Sequence, residues 1–210
     1  MRLPRHLPNF LSLFRILLVP LLVVVLLTKF EGRQILGIPT EIVGAAIFGL
    51  ASLTDWADGY LARRRKQITP LGQMIDPLAD KLLTLAALVS LVALDLAPAW
   101  MVAVILGRDF AVTALRSLAY ARSVAMPASQ LGKVKMVAQV VAILALILSR
   151  GAWSEIFYLE RVGEGALWVA VVASLISAAD YFRRFGAVLN PRVTTFPTAQ
   201  RGRDADRKAG

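Results

Sequence analysis

The sequence lacks cysteine altogether and contains a single histidine, His6, among its 210 residues. Without cysteine there is no disulfide framework and no thiolate metal or redox centre. A lone histidine near the N-terminus is a poor candidate for a metal ligand or a catalytic base. Any chemistry of this chain must therefore rest on carboxylates, hydroxyl groups and basic side chains.

Charged residues are also scarce, since they make up 18% of the chain while hydrophobic residues make up 57%. A soluble domain of this length rarely has such a composition. The net charge is +10, and the basic residues lie near the ends of apolar runs. Arg2 and Arg5 precede the first run as in a signal peptide, but no small-residue cleavage pattern follows. We therefore expect this segment to be retained.

Long apolar runs dominate what is present. Each of six runs approaches the ~20 residues that span the hydrocarbon of a bilayer. One such run alone could be a buried helix of a soluble protein, but six of them leave too few polar faces to meet water. We predict an all-α integral membrane protein with six transmembrane helices, at residues 11–28, 38–54, 78–94, 98–120, 134–148 and 166–181.

The charges between the runs predict the orientation of the chain. If the N-terminus is cytoplasmic, the segments on that side carry most of the lysine and arginine, and the opposite segments carry little positive excess. The positive-inside rule then places both termini in the cytoplasm. Aromatic residues fall near the proposed outer interface, where amphipathic rings settle: Trp100, Trp153, Tyr158 and Trp168.

The two ends of the chain differ from the predicted membrane domain, which covers residues 11–185. Within residues 1–14, Leu3, Leu7 and Phe10 recur at helical spacing between basic residues, which predicts a short interfacial helix. A simple extension of the first span is the alternative. Residues 186–210 are polar and basic, and we expect this tail to be disordered.

An acidic constellation lies at the junction of the second and third spans. Asp55 and Asp58 are three residues apart, and Asp76 and Asp80 are four residues apart. On helices these spacings put each pair on one face. Because a short basic loop joins the two helices, they are antiparallel neighbours and the four carboxylates can converge.

The four acids together indicate a metal site. Taken singly, Asp76 before Pro77 can cap a helix, and Asp80 can pair with Arg63. Together they are costly near hydrocarbon, because like charges one turn apart repel unless a cation lies among them. Oxygen ligands alone select hard divalent ions such as Mg²⁺, Mn²⁺ or Ca²⁺. Four carboxylates suit two metals, an arrangement that serves phosphoryl transfer.

Small and basic residues accompany the acids. Gly59, Ala62 and Gly72 leave room for a nucleotide, although Gly59 also suits close helix packing. Arg63 can donate several hydrogen bonds to a phosphate. These residues predict phosphoryl chemistry in a membrane. The alternatives are a cation-coupled transporter, which would be expected to show repeated halves, and a scaffold, which has no use for a full ligand set.

The complete spacing, Asp-x2-Asp-Gly-x2-Ala-Arg-x8-Gly-x3-Asp-x3-Asp over residues 55–80, resembles the signature of the CDP-alcohol phosphatidyltransferases. Residues 7–15, 108–116 and 131–135 resemble the members that use glycerol 3-phosphate, with Ser12 in place of the usual threonine and Asp109 where glutamate is common. The resemblance implies transfer of the phosphatidyl group from CDP-diacylglycerol to sn-glycerol 3-phosphate, with release of CMP. Phosphatidylglycerol and inositol phosphate are the alternative acceptors.

The resemblance also implies roles for individual residues. Asp80 would act as the general base. Two Mg²⁺ or Mn²⁺ ions would be held by Asp55, Asp58, Asp76 and Asp80. The CDP part of the donor would contact Gly59, Ala62, Arg63 and Gly72. The phosphate of the acceptor would bind Arg108, Arg116, Lys133 and Lys135, for which a role in membrane topology or lipid contact is the alternative.

The implied setting is the bacterial cytoplasmic membrane, with the active site on the cytoplasmic side. Because CDP-diacylglycerol carries two acyl chains, the active cavity should open sideways into the bilayer at the level of the inner headgroups. The resemblance implies a homodimer, and no nucleic acid is expected as a partner.

Overall fold

The computed structural model describes residues 7–28, 34–35, 37–65, 70–121, 130–151, 155 and 158–189. Six helices of 19 to 31 residues account for most of this part of the chain. They are α1 (Leu7–Leu27), α2 (Thr40–Arg65), α3 (Pro70–Ala93), α4 (Ala99–Ala121), α5 (Gln130–Leu148) and α6 (Leu159–Leu189). The predicted all-α class is confirmed.

A small antiparallel ladder precedes α2. It pairs β1 (Gln34–Ile35) with β2 (Ile38–Pro39), so that Ile35 lies opposite Ile38. Gly37 turns the chain with φ at 79°, a conformation that glycine adopts without a steric penalty. The ladder uses two residues that the sequence assigned to the second span, and α2 therefore begins at Thr40.

The helices match the six predicted spans but extend beyond the apolar runs. Both α2 and α3 include polar residues at their facing ends, because no proline interrupts residues 40–65 and Pro70 suits the first position of a helix. At the other end of the chain, α6 continues to Leu189, so the prediction of a disordered tail is wrong for residues 186–189. The first proline after α6 is Pro191, and the residue before a proline disfavours helical geometry. Residues 190–210 lie outside the described part.

The predicted interfacial helix is not a separate element in the described part, because α1 runs without a break from Leu7. This agrees with the alternative, an extension of the first span. Residues 1–6 lie outside the described residues.

The core is built by all six helices. A large apolar side chain from each is almost fully buried in one shared cluster: Leu22, Phe48, Leu88, Ile105, Ile143 and Leu167. Helix α5 packs chiefly against α6, and α3 chiefly against α1. This packing brings the middle of α5 close to α2, α3 and α4, where the candidate site lies.

The outer faces of the helices are apolar as well. Each helix exposes large hydrophobic side chains, for example Leu17, Leu50, Val89, Phe110, Val137 and Leu175. Water would not favour apolar side chains exposed on every helix, whereas lipid would. Within the described residues, two helical stretches are long and apolar enough to cross a membrane, Leu131–Leu148 and Leu159–Arg183. Shorter apolar stretches lie in α1, α2 and α3.

Gly163 permits the close contact between α5 and α6. A Cβ atom added there would lie 2.6 Å from Cγ of Leu146 and 3.2 Å from its backbone nitrogen. We expect Gly163→Ala to destabilise the protein by about 1–3 kcal/mol through overpacking. The measurement is thermal unfolding in detergent.

Gly165→Ala is the matched control for this prediction. No atom lies within 4 Å of the position that a methyl group would take at Gly165, and alanine favours a helix over glycine. Its melting temperature should therefore equal or exceed that of the unchanged protein. Equal melting temperatures for the two alanine variants would contradict the packing role of Gly163.

Candidate active site

The four predicted acidic ligands lie on the facing ends of α2 and α3. Asp55 and Asp58 belong to the last turns of α2, and Asp76 and Asp80 to the first turns of α3. The expected continuation of both helices through these residues is therefore confirmed. The side chains of residues 55–65 and 70–80 lie outside the described part, so the convergence of the four carboxylates stays a prediction.

The structure removes one alternative explanation for Asp76. A capping residue must precede the first turn of its helix. Helix α3 begins at Pro70, six positions before Asp76, so Asp76 lies within the helix and does not cap it. Pro77 also lies inside α3, where it lacks the N–H group of an ordinary residue. Helix stability therefore does not account for this Asp-Pro pair.

Beside the acidic helix ends, a partly buried polar cluster joins α4, α5 and α6. Asp109 on α4 forms an ion pair with Nζ of Lys135 on α5, and its other oxygen lies 3.0 Å from Nη1 of Arg108. Nη2 of Arg108 donates to Oγ of Ser177 on α6 at 2.5 Å. The guanidinium also lies 5.9 Å from the centre of the Tyr181 ring. Asp109 thus holds an ammonium and a guanidinium group side by side, and both are donors that suit an anion.

A second set of contacts links this cluster to the acidic segment of α3. Lys81, which follows Asp80 in the chain, donates a hydrogen bond from Nζ to Oγ1 of Thr113 on α4. Oγ1 of Thr113 donates in turn to the backbone oxygen of Asp109 at 2.6 Å. Lys81, the neighbour of the predicted base Asp80, is therefore linked through Thr113 to Asp109, the partner of Lys135.

A cavity of about 520 Å³ lies between α2, α3, α4 and α5. Its polar lining includes Ser52, Lys81, Thr84, Asp109, Lys135 and Gln139. Its apolar lining includes Leu53, Leu85, Leu106, Phe110, Val140 and Leu144. The described part of its lining comes within one residue of Asp80 on α3 and one turn of Asp55 on α2. The cavity is therefore suited to an amphipathic molecule whose polar end lies near the aspartates.

The four predicted acceptor residues fall in different environments. Lys135 is 6% exposed and lines the cavity, while Arg108 lies beside it and contacts Asp109 and Ser177. Arg116 and Lys133 are exposed. Lys133 and Lys135 are two residues apart, and such residues do not share a helix face. The structure thus brings Arg108 and Lys135 together through Asp109.

Sequence reasoning assigned no role in the site to several lining residues. Thr84 and Gln139 line the cavity, and Lys81 both lines it and bonds Thr113. A polar residue inside an apolar run was the available signal for Gln139, which stands one turn after Lys135. Nothing local in the sequence indicated Thr113, because its role depends on contact between α3 and α4.

The arrangement of donors fits a divalent cation. Within each pair, the two aspartates are one helical turn apart, and the helices that carry the pairs are joined by only four residues. Carboxylates are the ligands that hard divalent ions prefer. Among the residues whose side chains are described, no three acidic or histidine residues come together. The four aspartates are not among those residues.

Comparison with known proteins shows the family. A model of the CDP-alcohol phosphatidyltransferase family matches residues 5–176. The chain belongs to this family. The match covers the aspartates of α2 and α3, Asp109, Lys135 and Gln139.

Among the relatives of this CDP-alcohol phosphatidyltransferase, a Bacillus subtilis protein is 44% identical over 184 residues, covering 85% of this chain and 94% of the relative. A Rickettsia felis protein is 38% identical, with coverage of 87% and 97%. A Salmonella typhimurium protein is 37% identical, with coverage of 84% and 92%. All three are named CDP-diacylglycerol–glycerol-3-phosphate 3-phosphatidyltransferase.

Proposed function

We propose that this CDP-alcohol phosphatidyltransferase moves the phosphatidyl group of CDP-diacylglycerol to sn-glycerol 3-phosphate, forming phosphatidylglycerophosphate and releasing CMP. The names of its relatives support this choice of substrates. The observation that carries the proposal is the position of the partly buried Lys135–Asp109–Arg108 cluster. It places cationic side chains at a cavity whose described lining comes close to the aspartate-bearing ends of α2 and α3.

The reaction is a displacement at phosphorus. The hydroxyl oxygen of the acceptor attacks the β-phosphorus of CDP-diacylglycerol, and the bond from that phosphorus to the oxygen of CMP breaks. The proton of the hydroxyl passes to the carboxylate of Asp80. Asp80 precedes Lys81, whose bond to Thr113 fixes this turn of α3 against α4. Such anchoring favours a base held in one position.

The donor nucleotide would lie against the facing ends of α2 and α3. Because Gly59, Ala62 and Gly72 are small, they would leave room for the nucleotide against the helices. Arg63 would donate a hydrogen bond to a phosphate oxygen. Two Mg²⁺ or Mn²⁺ ions would be held by Asp55, Asp58, Asp76 and Asp80. When bound, they would neutralise negative charge on the pyrophosphate.

The phosphate of the acceptor would be bound by Lys135 and Arg108. Asp109 fixes both cations before the substrate arrives, which lowers the cost of ordering them on binding. Arg116 and Lys133 are exposed and would attract the dianion at longer range.

The proposed setting is a bacterial cytoplasmic membrane crossed six times, with both termini and the active site on the cytoplasmic side. The rings of Trp100 and Trp168 support it, because they pack 5.6 Å apart near the start of α4 and in the first half of α6. This end of the bundle is opposite the aspartates, as expected for an outer aromatic belt. Tyr158 is exposed next to Arg161, and Trp153 lies outside the described residues. We also propose a homodimer, as the family resemblance implies.

Purified protein in detergent, supplied with CDP-diacylglycerol and Mg²⁺, tests the choice of acceptor. We expect CMP release with glycerol 3-phosphate to exceed that with phosphatidylglycerol at least about tenfold, because Lys135 and Arg108 bind a phosphate dianion more strongly than a phosphodiester monoanion, and about 1.4 kcal/mol is a factor of ten. Inositol phosphate is also a dianion, so the faster reaction expected with glycerol 3-phosphate than with inositol phosphate rests on the names of the relatives. Labelled glycerol 3-phosphate must appear in the lipid fraction. Faster CMP release with either of the other acceptors would overturn the assignment of the acceptor.

A further inference from the structure

One buried polar group of the cavity takes no part in the proposed chemistry. Gln139 is 3% exposed, lines the cavity, and stands on α5 one turn beyond Lys135. Its Nε2 atom is buried and meets no hydrogen-bond partner among the described residues. An unsatisfied buried donor costs about 1–3 kcal/mol, so such groups in functional sites commonly await a ligand atom.

Gln139 stands at the boundary between two kinds of lining. Lys135 and Asp109 line the cavity one turn back on α5 and on α4, together with apolar residues such as Met136 and Phe110. Beyond Gln139, Val140 and Leu144 continue as a wholly apolar wall. A hydrogen-bond donor between a polar region and an apolar wall matches a molecule that has an acceptor atom between its polar head and a hydrocarbon chain. Glycerol 3-phosphate has no apolar part and would leave this wall without contact.

A phospholipid has this order of groups. Its phosphate is followed by the glycerol, the acyl ester carbonyls and the hydrocarbon chains. Along α2 the described lining extends from Ser52, which is one turn from Asp55, back to Gly49. Along α3 it extends from Lys81 to Leu85. The lining therefore extends away from the predicted pyrophosphate site on both helices, which is the direction that the diacylglycerol part of the donor must take.

We propose that Nε2 of Gln139 donates a hydrogen bond to an acyl ester carbonyl of the lipid donor and so positions its diacylglycerol part. This inference rests on the proposed function and adds a residue that distinguishes ester-linked from ether-linked lipids. An ether oxygen is a weaker acceptor than an ester carbonyl and lies closer to the glycerol, out of line with the same donor.

The test compares CDP-diacylglycerol with its dialkyl ether analogue of the same chain length, at saturating glycerol 3-phosphate. We expect the unchanged protein to prefer the ester about tenfold in kcat/KM, the value of one neutral hydrogen bond. Gln139→Met keeps the volume and removes the donor, so it should lower kcat/KM for the ester about tenfold and leave that for the ether unchanged. Val134→Met, an exposed position on the same helix, should keep the full preference.

Several results would overturn the inference. An equal kcat/KM for ester and ether in the unchanged protein would do so without any variant. A Gln139→Met protein that keeps the ester preference but has a raised KM for glycerol 3-phosphate would assign Gln139 to the acceptor instead. If Gln139→Met does not fold, Gln139→Leu is measured in its place. The ester-over-ether preference of the unchanged protein tests the inference in either case.

Failure of the proposed function gives a different result. In that case the unchanged protein releases no CMP with either lipid in the presence of glycerol 3-phosphate. The ester preference is then read from the rise in melting temperature that each lipid produces. A larger rise with the ester lipid, abolished by Gln139→Met, supports the role of Gln139, and an equal rise with both lipids overturns it.

Discussion

Asp55→Asn and Asp80→Asn are each expected to lower the rate of phosphatidyl transfer by at least about 100-fold. Asparagine keeps the shape of the side chain but removes the negative charge that would hold a divalent cation. Asp80→Asn also removes the proposed base, and general base catalysis contributes about 10²–10⁴-fold. The larger loss is therefore expected at Asp80. The measurement is CMP release from CDP-diacylglycerol at saturating glycerol 3-phosphate and Mg²⁺.

Asp95→Asn supplies the matched control. Asp95 is exposed at the end of α3 remote from Asp80, and its φ of 58° is a conformation that asparagine also tolerates. This variant should keep full activity.

Thermal unfolding with and without Mn²⁺ separates loss of the metal from loss of the fold. Mn²⁺ should raise the melting temperature of the unchanged protein, and raise that of Asp55→Asn much less. Full transfer activity in Asp55→Asn would remove the metal assignment, and full activity in Asp80→Asn would remove the assignment of the base.

Lys135→Met is expected to raise the KM for glycerol 3-phosphate by about 10- to 100-fold, the value of a hydrogen bond to a charged group. The KM for CDP-diacylglycerol should change several-fold at most. Lys135 is buried at the cavity wall and paired with Asp109, so its ammonium group is held at a fixed position. The variant should remain folded, because Asp109 keeps its ion pair with Arg108. Initial rates over a range of each substrate provide the measurement.

Lys133→Met is the comparison for this prediction. Lys133 carries the same charge two residues earlier on α5, but it is exposed, and exposed charges contribute little because water and salt screen them. Its effect on the KM for glycerol 3-phosphate should be several-fold smaller and should disappear at high ionic strength. If Lys135→Met weakens the use of both substrates equally, the assignment of Lys135 to the acceptor is wrong.

The helices illustrate how far local pattern reaches. Runs of apolar residues predicted six helices, and the described residues form six long helices at these places, because an apolar segment satisfies its backbone hydrogen bonds by forming a helix. Even Pro20 lies inside α1. The pattern did not define the ends. Helix α3 starts at Pro70 rather than at residue 78, where the apolar run begins, since polar residues also continue a helix and hydropathy alone does not detect that.

The site divides in the same way. The spacing of the aspartates follows from sequence alone, because residues three and four apart share a helix face wherever the helix lies. The environments of the basic residues do not follow from sequence alone. Arg108 and Arg116 are eight residues apart and look equivalent in the sequence, yet Arg108 packs against Ser177 and Tyr181 while Arg116 is exposed.

The order of the residues is enough to predict the helical class, the family and the set of acidic residues on two adjacent helices, since each of these depends on residues close together in the chain. The packing of the helices was needed to show that Asp109 joins Lys135 to Arg108, that Lys81 bonds Thr113, and that Gln139 lines a cavity with both polar and apolar walls. The partners of Lys135 and Lys81 lie 26 and 32 residues away, and that of Arg108 on α6 lies 69 residues away. Such contacts arise from how helices pack against one another, and helical periodicity carries no information about which helix a given face will meet.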